Sequence, residues 1–326
     1  MKGKLLIILS LMLILTSCGK NTANETEDTS TKNKGSKIVQ TKKSDPVEWY
    51  SFNGLEEGYS IVGFDNEYIY SEENGQFPTD LVLPSEYRGE KVTVIGGHAF
   101  SDKNITSVVI PNTIERIENY AFEKGQFREV VIPESVRIIG EGAFSEGILK
   151  SLFIPNTLEE IERNAFYDNF ITTLEFEEGF KLTEIKAETF ADNNIEALEL
   201  PESVTVIGES AFYRNDIQNL VLGPDVKVIE TSAFYGNKIK EVVLPDEIEV
   251  VGHYSFRDND LEVIVIPDSL ELINRDAFSN GAESGVVYAN EMDYGDYEHH
   301  YDQWPQIRMH KFGPGWELKP LSEYGE

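Results

Sequence analysis

Val204-Thr-Val-Ile-Gly-Glu-Ser-Ala-Phe-Tyr-Arg-Asn-Asp-Ile-Gln-Asn-Leu-Val-Leu-Gly223 recurs along the chain. Its Phe212 has counterparts at Phe100, Phe122, Phe144, Phe166, Phe190, Phe234, Phe256 and Phe278, spaced by 22 residues except for one step of 24 after Phe166. A fixed period of this size marks a solenoid. Aliphatic residues stand eight and five places before each Phe, from Val92 and Ile95 to Leu270 and Ile273. Apolar residues stand five, eight and ten places after it, as at Ile105, Val108 and Ile110 or Leu261, Ile264 and Ile266. A Pro usually follows (Pro111, Pro133, Pro155, Pro201, Pro245, Pro267), with Gly223 in its place once.

One such copy cannot bury its apolar set alone, whereas stacked copies can, each touching only its neighbours. The alternation at the eighth and tenth places after Phe predicts a short strand ended by Pro. Stacked, these strands form a parallel sheet with about 4.8 Å per coil. Three places after Phe comes Gly125, Gly147, Asn169, Asn193, Asn215, Asn237, Asn259 or Gly281; only the first copy departs, with Lys103. Asn and Gly both tolerate a left-handed backbone, so a turn is expected there.

The pattern Ile195-x-x-Leu-x-Leu-Pro-x-x-Val-x-x-Ile-x-x-x-Ala-Phe212 resembles the leucine-rich repeats of the BspA-like (treponemal) class over roughly residues 77–288. The resemblance implies a leucine-rich-repeat solenoid, β-rich with little helix. Its short parallel strands would stack into a curved sheet, capped at both ends. It also implies that the outward face of the strands is a concave binding surface. Side chains alternate along a strand, so that face carries the ninth place after each Phe: Val109, Val131, Phe153, Glu175, Glu199, Val221, Val243 and Val265. A parallel row two places earlier reads Ser107, Glu129, Ser151, Thr173, Ala197, Asn219, Glu241 and Val263. A mostly apolar exposed row points to a protein contact, although β-branched residues also simply suit strands. Relatives by resemblance include bacterial surface adhesins that bind host matrix proteins. The expected partner is therefore a protein of the host or of the envelope.

The amino terminus carries a different signal. Lys2 and Lys4 precede the apolar run Leu5–Leu15, which is too short to span a bilayer and fits the core of a signal peptide. Leu15-Thr-Ser-Cys18 resembles the lipobox of bacterial lipoproteins, which implies lipid attachment at Cys18 and an extracytoplasmic, membrane-anchored protein. Residues 19–45 are polar, with too few apolar residues to offset the entropy of folding, and read as a flexible tether. The organisation expected is a lipoprotein signal peptide (1–18), tether (19–45), amino-terminal cap (46–90), repeats (91–284), and carboxyl-terminal cap and tail (285–326). The cap would gather Trp49, Tyr50, Phe52, Tyr59, Phe64, Tyr68 and Tyr70 over the first coil.

Composition excludes several functions. The formal charge of −30 is wrong for nucleic acid, whose phosphates need Lys and Arg. One cysteine allows neither an internal disulfide nor a multi-thiolate zinc site. No G-x-S-x-G, P-loop or G-x-G-x-x-G is present, so no catalytic residue and no cofactor is assigned. Asp293, Asp296, His299, His300 and His310 crowd together near the carboxyl end without a metal-ligand spacing. They leave open, as the alternative, a carbohydrate- or metal-binding envelope module, or an envelope enzyme, centred there; their aromatic neighbours otherwise read as a cap on the last coil. The two-residue insertion at Phe176-Glu-Glu-Gly-Phe180 reads as a kink or solvated bulge, or a cation site with Glu175 and Glu199.

Overall fold

The computed structural model describes residues 43–65, 78–274, 276–279, 284–289 and 315–325. The signal segment with Cys18, most of the tether, Tyr68, Tyr70 and the Asp293–His310 cluster lie outside the described residues. The repeats stack as a β-solenoid, and its core is the repeat pattern itself. All nine phenylalanines are at most 5 % exposed, and the aliphatics at the fifth place before and after them are buried. Successive Phe rings stack face to face with centroids 5.2 to 5.6 Å apart from Phe100 to Phe278. Each ring contributes about 1.5–3 kcal/mol by burial, with a further increment for the offset aromatic contact.

Most of the expected strands are present, as at Ser107–Val109, Ser151–Ile154, Ala197–Glu199, Glu241–Val243 and Val263–Val265, but the copy at Glu129–Val131 forms none. Neighbouring coils pair them in parallel with equivalent residues opposite, such as Leu198 with Leu220 and Val242 with Ile264. This long ribbon is broken into short sheets. A second ribbon, absent from the sequence reading, runs up another face. It is built of two-residue strands such as Val206–Ile207, Val228–Ile229 and Val250–Val251, also parallel and in register.

The left-handed residues are not the Asn and Gly at the third place after Phe. Apart from Arg88 and Asn104, the non-glycine ones stand two places before Phe (His98, Tyr120, Asn164, Glu188, Ser210, Ser232, Tyr254, Asp276) and two after it (Asp102, Lys124, Glu146, Asp168, Asp192, Arg214, Asp258). Such a backbone costs a non-glycine residue roughly 1 kcal/mol or more. A third ladder between coils offsets it. Ser210, Phe212 and Arg214 donate their N–H groups to Thr231, Ala233 and Tyr235 of the next coil at 2.9, 2.8 and 2.8 Å.

The asparagines turn inward instead. Asn169, Asn193, Asn215, Asn237 and Asn259 are 3–6 % exposed. Asn215 Oδ1 accepts the N–H of Ile195 at 3.1 Å, and its Nδ2 donates to the carbonyl of Phe190 at 2.9 Å, both in the preceding coil. Asn237 and Asn259 repeat these bonds. A side-chain amide supplies both the acceptor and the donor that the tightly curved backbone lacks. Gly147 leaves room for that amide: a Cβ there would lie 2.8 Å from Asn169 Oδ1.

The insertion is a bulge that leaves the ring stack intact. Phe166 and Phe190 remain 5.6 Å apart and 3° from parallel. Phe180 is buried, and its ring meets Phe176 edge-on at 4.9 Å. Glu177 accepts the N–H of Asn156 at 3.0 Å, so this carboxylate is engaged within the turn. At the amino end, Tyr50–Gly54 and Tyr59–Phe64 form an antiparallel hairpin whose second strand joins the short ribbon in parallel. The rings of Tyr50 and Phe64 meet Phe100 edge-on at 6.1 and 5.3 Å, closing that end of the stack.

Two substitutions separate these contributions. Phe212→Ala should lower the free energy of unfolding by about 3–5 kcal/mol through the cavity it leaves. Asn215→Leu, which keeps the volume, should cost about 1–3 kcal/mol for each backbone group it orphans. Urea unfolding followed by circular dichroism measures both. A loss below about 0.5 kcal/mol, the range of ordinary surface changes, would remove the amide ladder from the account.

Candidate binding surface

The ninth-place row stands on the outward face of the long ribbon, as expected from the alternation. Val131, Phe153, Val221 and Val243 are 52, 39, 56 and 44 % exposed. Glu175 and Glu199 are exposed between them, and Val109 is half-buried. The seventh-place row is polar or small from Ser107 to Glu241. Register pairing places Glu175 beside Phe153 and Glu199 beside Val221.

Val265 is a correction. It is only 5 % exposed and presents no free surface. The carboxyl end of the chain lies on this part of the ribbon. After the single 3-10 turn Leu321–Glu323, the Tyr324 hydroxyl donates to Glu241 Oε1 at 3.0 Å, and its ring lies 5.3 Å from that of Tyr288. Glu241 and Tyr288 stand on the coils either side of Val265. Tyr288 itself joins the outward row, because Ser284–Tyr288 pairs with Val263–Val265 after a one-residue slip. The sequence reading missed this: Glu283 stands where an aliphatic belongs, and the register could not be carried past it. Gly315–Lys319 then adds a further parallel strand, setting Trp316 over Gly285, where a Cβ would lie 2.7 Å from the indole.

Several cations of the solenoid pair with carboxylates of a neighbouring coil. Lys240 meets Glu262 at 2.8 Å, Lys227 meets Glu249 at 3.3 Å, and Lys186 bridges Glu160 and Glu162 at 2.8 and 3.0 Å. Such exposed pairs add little stability, but they leave the surplus carboxylates uncompensated. Glu175 and Glu199 have no ion-pair partner among the described residues. A depression of about 500 Å³ lies on the other face, lined by His98, Arg116, Glu118, Asn119 and Glu160. Several of its polar side chains are already engaged: Glu118 accepts the N–H of Gly97, Asn119 that of Glu141, and Glu160 holds Lys186. His98 stacks on Tyr120 in a left-handed turn. Among the described residues no group of His, Cys, Asp and Glu is placed to hold a metal ion.

The Tyr324 contact can be read by titration. Burial and the Glu241 carboxylate push its phenol up to about 12 from the ordinary 10.0. The raised value means that the fold favours the protonated phenol. Its contribution to stability is therefore complete below pH 10 and is lost as pH rises through about 12. Tyr324→Phe should delete one phenol from the late limb of an ultraviolet titration, and Glu241→Gln should move that phenol to lower pH. A late limb unchanged by both substitutions would contradict the contact.

Comparison with known proteins agrees with this architecture. The BspA type leucine rich repeat region matches in six copies over residues 93–215 and 171–284, together more than half of the chain. No curated protein matches the sequence significantly. Among solved structures, a leucine-rich repeat protein from Eubacterium ventriosum is similar at 18 % identity and a TM-score of 0.43. That match covers 66 % of this chain and 61 % of that one, so the chain spans less than two thirds of that relative. The pneumococcal vaccine antigen PcpA matches at 16 % identity and TM-score 0.45, covering 74 % and 91 % of the two chains. A leucine rich cell surface protein from Faecalibacterium prausnitzii matches at 19 % and 0.34, covering 74 % and 93 %. With its nine-fold phenylalanine register and the repeat model matched across most of the solenoid, the chain belongs to the BspA-type leucine-rich repeat family.

Proposed function

We propose that this chain is a bacterial cell-surface adhesion or protein-binding module, not an enzyme, that engages another protein of the host or envelope through the outward face of its long ribbon. In this reading a lipid on Cys18 holds it to the membrane and the polar tether carries the solenoid clear of the surface. The lipobox-like Leu15–Cys18 and the composition of residues 19–45 support that placement. One observation carries the binding assignment: Val131, Phe153, Val221 and Val243 stand 39–56 % exposed at the same place of their coils, in a protein of charge −30. Apolar side chains aligned this way gain by being covered, and the parallel ladders fix their positions without a partner, which lowers the entropic cost of docking.

The test is capture of envelope and host proteins by the full chain, compared with Val131→Lys, Val243→Lys and, on the opposite ribbon, Glu184→Lys. Loss of a captured protein with the two valine variants and retention with Glu184→Lys is the expected pattern, all variants keeping the parent's circular dichroism. Capture indifferent to both valine variants removes the row as the contact surface.

A further inference from the structure

The chain's own carboxyl end shows how the ribbon is covered. A single helical turn, Leu321–Glu323, delivers Tyr324 onto the outward rows between Glu241 and Tyr288, where Val265 is buried. Toward the amino end the same face lies bare from Phe153 to Val243. This bare part is not uniformly apolar. Phe153 leads, exposed Glu175 and Glu199 follow on the next two coils without ion-pair partners among the described residues, and Val221 and Val243 come after them. A partner that desolvates this row must bring positive charge to its middle, because two uncompensated carboxylates are costly to cover.

The spacing selects the shape of that partner. A ligand running along the solenoid axis meets one row residue per coil. Where the strands pair, from Phe153 to Glu175 and from Glu199 to Val221, that step is about 4.8 Å, and the ring stack beneath continues it through every coil at 5.2 to 5.6 Å. The pitch of an α-helix is about 5.4 Å, so a helix along the row offers one side chain per turn to each coil. Even against the smaller step the drift is about 0.6 Å per coil, or roughly 2.4 Å over the four steps from Phe153 to Val243, within the reach of a side chain. An extended strand repeats its facing side chains every 6.6 Å or so and loses register within about two coils.

We propose that the ribbon from Phe153 to Val243 binds an amphipathic α-helix of a partner protein, laid along the solenoid axis with one turn per coil. Its facing residues read apolar, basic, basic, apolar, apolar, with Lys or Arg against Glu175 and Glu199. This proposal rests on the reading of the ribbon as a binding face and adds the secondary structure and charge pattern of what binds there.

A synthetic helix-stabilised peptide of about five turns, or 18 residues, tests it, carrying Leu, Lys, Lys, Leu and Leu at one-per-turn spacing. Fluorescence anisotropy with the full chain at physiological salt reads the affinity. An isomer of identical composition, with both Lys moved to the opposite face, controls for attraction to an acidic protein. The facing peptide should bind at least about tenfold more tightly than its isomer. The double variant Glu175→Lys/Glu199→Lys should lose that tenfold and gain affinity for a peptide with Glu at the two central turns. Both glutamates are exposed, and unchanged circular dichroism shows that the variant is folded. Equal binding of the two isomers, or binding indifferent to the charge reversal, overturns the helix proposal. If Val131→Lys and Val243→Lys still abolish capture of a natural partner, the helix alone is wrong and the binding face stands. Capture indifferent to those valines, together with equal binding of the isomers, sinks both.

Discussion

Contact between one coil and the next is what the whole molecule depends on. A single coil of this protein has no interior. Its Phe is covered only because another Phe lies 5.2 to 5.6 Å above and below it, and its aliphatics are covered by their equivalents. Hydrogen bonding follows the same rule. Two parallel ribbons, the ladder through the turn around each Phe, and the buried asparagines all join a coil to its neighbour. The ends have no further neighbour, and they are closed by rings from outside the repeat: Tyr50 and Phe64 over Phe100, and Trp316 against Gly285.

This dependence explains which departures from the repeat are tolerated. The extra residues after Phe176 lie in the turn that follows the strand, and Phe180 fills the widened coil beside Phe176, whose ring meets Phe190 edge-on. Non-glycine residues accept left-handed backbone on both sides of each Phe because three inter-coil bonds per turn hold them there. At the third place after Phe the requirement is different. After the first copy, with its Lys103, the position carries either an amide that reaches the preceding coil or no side chain at all, as Gly147 does beneath Asn169.

Much of this could be read from residues alone, because a period of 22 with fixed apolar places leaves few ways to bury them. The solenoid, its parallel strands and the outward row from Val131 to Val243 follow from periodicity and alternation. Three features did not follow. The short ribbon is two residues per coil, too brief for an alternation to register. The asparagines offered two roles, turn or amide ladder, and composition cannot choose between a backbone angle and a buried hydrogen bond. Val265 is buried on a stretch of ribbon where Tyr324, 59 positions further along the chain by the numbering, meets Glu241 and Tyr288, and no local pattern links them. For the surface, the sequence named the row but not its division into a free part and a part occupied by the chain's own end.

A row of bare valines, interrupted by two glutamates without ion-pair partners among the described residues, is a consequence of stacking, since the coils fix the row before any partner arrives. Residue-resolved amide hydrogen exchange tests that stacking most directly. The N–H groups of Ile195, Ile217 and Ile239, bonded only to an asparagine of the following coil, should exchange slowly and as one cooperative unit with those of Phe190, Phe212 and Phe234. Protection should decline toward both ends of the solenoid, as in a one-dimensional stack. Rapid exchange at the three isoleucines while the phenylalanine amides stay protected would contradict it, as would protection that varies from coil to coil without regard to position.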